Sequence, residues 1–232
     1  MIGEPKPGEA GVVLFEAYGA LFDVSTPFRL YREALGHRAE QLATLWYAKQ
    51  TEYAFLRTMT GHFIDFWHVT GEALDYALKR LSIADPVLRS RLMQAYFRLE
   101  AFPEAVDVLA ALRRQGLRTA VLSNSSVTML TSVLNGTDLR NSLDAVLSAD
   151  QAKVFKPAFG VYQLACERFG LKPSQMAFVS THGWDACGAA AFGLRSLWLN
   201  RGGEPPEQLP GRVEAEVASL AALPAFFAAE PL

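Results

Sequence analysis

Cysteine is nearly absent. The two residues, Cys166 and Cys187, stand far apart in 232 and form neither a CxxC pair nor a Cys/His ligand pattern. That argues against a disulfide framework or a structural zinc site and leaves reduced thiols. An excess of charge of either sign is also missing: 22 basic and 24 acidic residues are mixed throughout, for a formal net charge of -2. With no basic face and no charged tail, neither nucleic acid nor an anionic membrane surface is the expected partner. No apolar run approaches the roughly 18 residues of a membrane span. The opening "MIGEPKPGEA" has neither the basic nor the apolar region of a secretory leader. The expectation is a soluble, cytoplasmic protein acting on a small molecule. Half of the residues are apolar, enough for a sizeable core.

Two textures divide the chain. After a Pro/Gly-rich lead-in, "GVVLF" (Gly11 to Phe15) is a short apolar run of the kind that forms a buried central strand. From Thr26 to about Leu99 the pattern is helical, with segments near 31–35, 39–57, 63–81 and 87–99 and no convincing strand. Beyond it helices and strands alternate. Helices are predicted at 103–115, 127–134, 159–169 and 184–192, and strands at 118–123, 144–148, 176–180 and 195–199. Such alternation predicts a Rossmann-like doubly wound α/β fold, a parallel sheet covered on both faces. Ligands of such sheets bind beyond the carboxyl ends of the strands. Polar residues stand at those ends: Glu16, Ser123 with Asn124, Lys156 after the third strand, and Ser180 to Asp185. The Pro/Gly stretch 202–210 reads as a surface loop.

The segments "FEAYGALFDV", "LSNSS", "KPAFGVY" and "FVSTHGWDACGA", in that order and at strand ends, resemble the haloacid dehalogenase (HAD) superfamily, in particular its L-2-haloacid dehalogenase branch. The likeness spans nearly the whole chain. It implies the HAD fold, with a core from residues 1–24 and 101–232 and a helical cap subdomain over 25–100. "LWYAKQTEYAFLR" (Leu45 to Arg57) is similar to that branch's cap helix. Phosphatases of the superfamily need a second aspartate in the first motif and further carboxylates in the last to hold magnesium, a hard cation that takes oxygen ligands. Here those positions offer Tyr18 and a lone Asp185. The resemblance therefore implies an enzyme with no metal and no cofactor, whose partners are a small carboxylate substrate and water.

In the family, the first-motif carboxylate displaces a leaving group from C2 of the substrate, and water then hydrolyses the resulting ester. Glu16 stands where the family has aspartate. Its extra methylene moves the reactive oxygens outward by about 1.5 Å, a displacement large on the scale of attack geometry. Ala20 stands where the family has a threonine, which makes room for the longer side chain. A disabled nucleophile is the plain alternative. Lys156 matches the lysine beside the nucleophile, and an adjacent cation keeps a carboxylate ionised. Asp185 matches the residue that positions or deprotonates water, with Ser180 and Tyr162 as polar residues of the same site. Ser123 and Asn124 match the pair that binds the substrate carboxylate, although a helix cap would account for them equally. Tyr18, Phe66 and Trp184 match the apolar wall around the substrate; plain core packing is the alternative for each. His182 takes the place of a family asparagine close to Asp185.

The sharpest departure is Tyr47, which follows Trp46 where the family has an arginine. That arginine stabilises the departing halide, as a cation does for charge that develops in a transition state. Its replacement points to a nitrogen leaving group, since a tyrosine ring face suits a cation. The family includes an L-azetidine-2-carboxylate hydrolase, which opens the four-membered ring to 4-amino-2-hydroxybutanoate. The expectation is that reaction through a Glu16 ester, with Tyr47 or His182 near the ring nitrogen. A conventional (S)-2-haloacid dehalogenase and a non-catalytic carboxylate-binding protein stay open. The resemblance also implies a homodimer, with Trp46, Tyr53 and Phe55 compatible with an interface or with internal packing.

Overall fold

The structure is a computed structural model and describes residues 11–229, so the lead-in expected over 1–10 lies outside the described residues. Six parallel strands form one sheet: β1 (Val12–Phe15), β2 (Arg118–Ser123), β3 (Ala145–Ser148), β4 (Met176–Ser180), β5 (Arg195–Leu199) and β6 (Ala215–Val217). Their order is β3-β2-β1-β4-β5-β6, which is the Rossmann-like doubly wound arrangement. The order reverses between β1 and β4, and the crevice beyond their carboxyl ends is where such sheets bind ligands.

The short strands are apolar throughout because both faces are covered and successive side chains point to opposite faces. Val13 and Phe15 belong to one core cluster, with Leu109 and Leu112 of α6 (Ala105–Arg114). Val12 and Leu14 belong to the other, with Val161 and Ala165 of α8 (Phe159–Phe169). Register then assembles the site. Phe15 pairs with Val121 of β2 and Val179 of β4, so Glu16 emerges level with Ser180 and one residue short of Ser123. The Glu16 N–H continues the ladder by donating to the Val179 carbonyl at 2.9 Å.

Residues 26–95 contribute five α-helices, one short 3-10 turn and no strand: α1 (Thr26–Leu30), α2 (Arg32–Leu35), α3 (Ala39–Thr60), α4 (Phe66–Arg80) and α5 (Pro86–Ala95). The crossings into and out of this layer run side by side. Asp23 N–H donates to Glu100 O at 2.8 Å, and Phe102 N–H donates to Leu21 O at 2.9 Å. Helix α4 starts later than the periodicity suggests. Gly61, at φ 71°, terminates α3, and the Asp65 carboxylate accepts the N–H groups of Trp67 and His68 as an N-cap.

The remaining α-helices among the described residues are α7 (Val127–Asn135), α9 (Gly183–Phe192) and α10 (Leu223–Ala229). The strands expected at 118–123, 176–180 and 195–199 match the observed bounds. Strand β6 and α10 were not expected, and α1 lies in the stretch read as helical but outside its named segments. An edge strand of three residues, its middle one exposed, and helices of five and seven residues are too short to carry a periodic signal. Among the described residues no helix is long and apolar enough to cross a membrane.

Candidate active site

Glu16 is buried, 6% exposed, at the floor of a cavity of about 460 Å³ between the strand ends and the α3 side of the helical layer. Its two oxygens are held differently. Oε1 accepts the Ser123 hydroxyl at 2.7 Å, the Ala17 N–H at 2.9 Å and the Tyr18 N–H at 3.4 Å. Oε2 accepts the ammonium of Lys156. Lys156 is fully buried and also donates to Asp185 Oδ2 at 3.0 Å, so one cation bridges two carboxylates. Desolvation pulls the Lys156 pKa down, but the charges of Asp185 and Glu16 outweigh it and hold the ammonium above the ordinary lysine range. The loop that carries Lys156 is itself pinned. Lys156 N–H donates to Asn124 Oδ1 at 2.8 Å, and Phe155 N–H donates to Thr58 Oγ1 of α3 at 2.9 Å.

Asp185 lies beneath this pair with no exposure. Its Oδ1 accepts the Tyr162 hydroxyl at 2.7 Å, and its Oδ2 accepts the Ser180 hydroxyl and the Lys156 ammonium, both at 3.0 Å. Burial pushes its pKa up, opposed by Lys156. Both oxygens are spoken for, and Asp185 is not among the side chains that line the cavity.

The lining includes Tyr18, Tyr47, Phe66, Ser123, Asn124, His182 and Trp184. Of the substrate-binding candidates, Tyr162 alone is placed elsewhere. It is fully buried between Phe178 and Phe192, where α8 packs its apolar side, and its hydroxyl supports Asp185 from behind the cavity wall. Ser123 lines the cavity, but its hydroxyl is used on Glu16 and accepts the Ser125 N–H at 3.2 Å. His182 stands at the N-cap of α9 between Tyr47 (ring centroids 5.0 Å apart) and Trp184 (5.8 Å, stacked).

The lining also includes residues that the sequence did not single out, among them Phe28, Gln50, Tyr96 and Ser125. Gln50 carries a usable sequence signal, being the polar member of a helix face shared with Trp46 and Ala54 at four-residue spacing, all buried. Tyr96 carries none, since its stacking on Tyr18 at 5.9 Å joins residues 78 apart. Of the aromatic residues offered for a dimer interface, Trp46 is buried, donates to Thr70 O at 2.8 Å and packs on Phe28 and Tyr96. Phe55 sits edge-on to Trp184 and lines the cavity, and Tyr53 packs on the core. These three pack internally because α3 turns that face toward α4 and the cavity.

The model of the haloacid dehalogenase-like hydrolases matches residues 12–193. The (S)-2-haloacid dehalogenase 1 of Pseudomonas sp. (strain CBS-3) is 41% identical over 91% of this chain and 93% of its own length. The (S)-2-haloacid dehalogenase 4A of Burkholderia cepacia is 40% identical over 90% and 91%. The crystal structure of the L-2-haloacid dehalogenase of Xanthobacter autotrophicus with chloropropionic acid covalently bound superposes with a TM-score of 0.85 at 34% identity, over 93% of this chain and 97% of that one. The chain belongs to the haloacid dehalogenase-like hydrolases, and its close homologues are L-2-haloacid dehalogenases.

Proposed function

We propose that this hydrolase acts on short carboxylic acids substituted at C2, by attack of Glu16 on C2 and hydrolysis of the resulting ester. The observation that carries the proposal is the Glu16 carboxylate at the cavity floor, anchored at both oxygens by Ser123 and Lys156. Lys156 pairs with it and holds its orientation, and burial strips the water that would blunt it. Three donors converge on Oε1, which fits that oxygen for the ester carbonyl, where charge develops during hydrolysis. Oε2 is then the attacking atom. Asn124 spends its amide oxygen on Lys156 N–H and keeps its NH2 group for the substrate carboxylate. The helices of residues 25–100 act as a cap over a core of 1–24 and 101–232. The homodimer implied by the resemblance is part of the proposal and is measured by sedimentation.

Halide is the leaving group that the relatives indicate, and (S)-2-haloacids are the first substrate class. A second reading, ring opening of L-azetidine-2-carboxylate, is favoured by one observation: the described residues that line the cavity include Glu16 and Glu40 but no lysine or arginine. A departing halide has no cation to meet it there, whereas an ammonium has Tyr47 and the aromatic faces around it.

Incubation with (S)-2-chloropropionate and with L-azetidine-2-carboxylate separates the two by which product forms. A single turnover in oxygen-18 water tests the ester itself. Label in Glu16 supports it, and label in the hydroxy-acid product overturns it in favour of Glu16 as a general base. Glu16→Gln is expected to abolish turnover. Thermal stabilisation by either compound with no product from any would favour a binding protein.

A further inference from the structure

We propose that His182, rather than Asp185, takes the proton from the water that hydrolyses the Glu16 ester; this rests on the ester mechanism proposed for Glu16. A base for that water must present a free acceptor to the cavity. Asp185 does not: it is fully buried under Lys156, with Tyr162 on one oxygen and Ser180 and Lys156 on the other. Among the cavity-lining residues, the titratable side chains are Glu16, Tyr18, Glu40, Tyr47, Tyr96 and His182. Glu16 carries the ester. A phenol is protonated near neutral pH and has no proton vacancy to offer. Glu40 sits on the exposed side of α3. The imidazole remains.

The fold holds that imidazole in place. Its ring is flanked by Tyr47 and Trp184, and Trp184 Nε1 donates to Tyr47 Oη at 3.1 Å, closing the group. The His182 N–H donates to Ser180 Oγ at 3.2 Å, which ties its backbone to the catalytic layer. Gly19 (φ 91°) lets the loop after β1 come close: a Cβ there would lie 3.9 Å from His182 Cε1 and 2.6 Å from Thr181 Oγ1. Burial lowers the His182 pKa, opposed by Glu16 and Asp185 and aided by Lys156. The ring is therefore neutral and able to accept a proton at pH 7.

Water gives a proton to His182 as its oxygen bonds to Glu16 Cδ. The tetrahedral intermediate, its oxyanion on the Ser123 and Ala17 donors, then breaks the Cδ–O bond to the substrate. The departing alkoxide takes the proton from His182 and leaves as the 2-hydroxy acid. The Glu16 carboxylic acid loses its proton to solvent and returns to its pair with Lys156.

The test is rapid-quench turnover of wild type and His182→Asn with whichever of (S)-2-chloropropionate and L-azetidine-2-carboxylate the wild type consumes, read by intact mass. Expected are ester formation at near the wild-type rate, accumulation of one covalent adduct per chain, and ester hydrolysis slowed about 100-fold or more, within the range of general-base effects. Hydrolysis within about threefold of wild type overturns the proposal, threefold being well below that range. His182→Ala with added imidazole guards against a folding defect: imidazole that restores hydrolysis of the trapped adduct supports the proposal, and failure to restore it in a folded variant overturns it. Loss of the ester mechanism is told apart in the wild type, where oxygen-18 would enter the product instead of Glu16.

Discussion

Trp184 Nε1 donates to Tyr47 Oη at 3.1 Å, joining α9 of the sheet layer to α3 of the helical layer across 137 residues of chain. Both residues line the cavity, so a change of charge at position 47 would face whatever occupies it.

Tyr47→Arg supplies the missing cation. Chloride release from (S)-2-chloropropionate is expected to rise by about tenfold or more, of the order seen for single electrostatic donors in a transition state. Azetidine ring opening, where present, falls. An unchanged ratio of the two activities would show that residue 47 does not choose the leaving group.

Lys156→Met removes one cation from between two buried carboxylates. Leaving buried charges without their partner costs about 3–5 kcal/mol. Urea denaturation should report a loss of that size together with loss of turnover. The added Asp185→Asn change is expected to recover part of the stability and none of the activity.

Alkaline pH should unfold the protein steeply. Tyr18, Tyr96 and Tyr162 are raised above the ordinary tyrosine value by burial. Lys156 is also raised, because its two carboxylates outweigh its burial. The unfolded chain loses these protons near pH 10, whereas the folded chain keeps them. Their stabilising contribution is whole below that pH and declines above it, by about 1.4 kcal/mol per pH unit for each group. Urea midpoints measured across that range check this, and Tyr162→Phe should flatten the slope by one group.

Glu16→Asp tests whether the longer carboxylate belongs to a matched set. Alone it should cost about 100-fold in kcat by retracting the attacking oxygen. Ala20→Thr alone overpacks a fully buried site, at about 1–3 kcal/mol. If the two positions are matched, the double variant recovers activity beyond the product of the single effects, as a double-mutant cycle measures. Simple multiplication would show them to be independent.

What the sequence determined by itself is local and periodic. The apolar runs of β1, β2, β4 and β5, the alternation with helices and the polar residues at the strand ends are all legible in the order of residues alone. So is the placing of Glu16, Ser123, Lys156 and Asp185 in one site, through the resemblance of their motifs. Tertiary structure decided which atom serves which. Ser123 holds Glu16, Tyr162 lies under Asp185, and Trp46 is buried in place of facing a partner. Glu16 itself carries the reason: its neighbours Ser123 and Lys156 are 107 and 140 residues away. Local periodicity encodes which face of an element is buried, but hydrogen-bond partners follow from the register and packing of elements far apart in the chain.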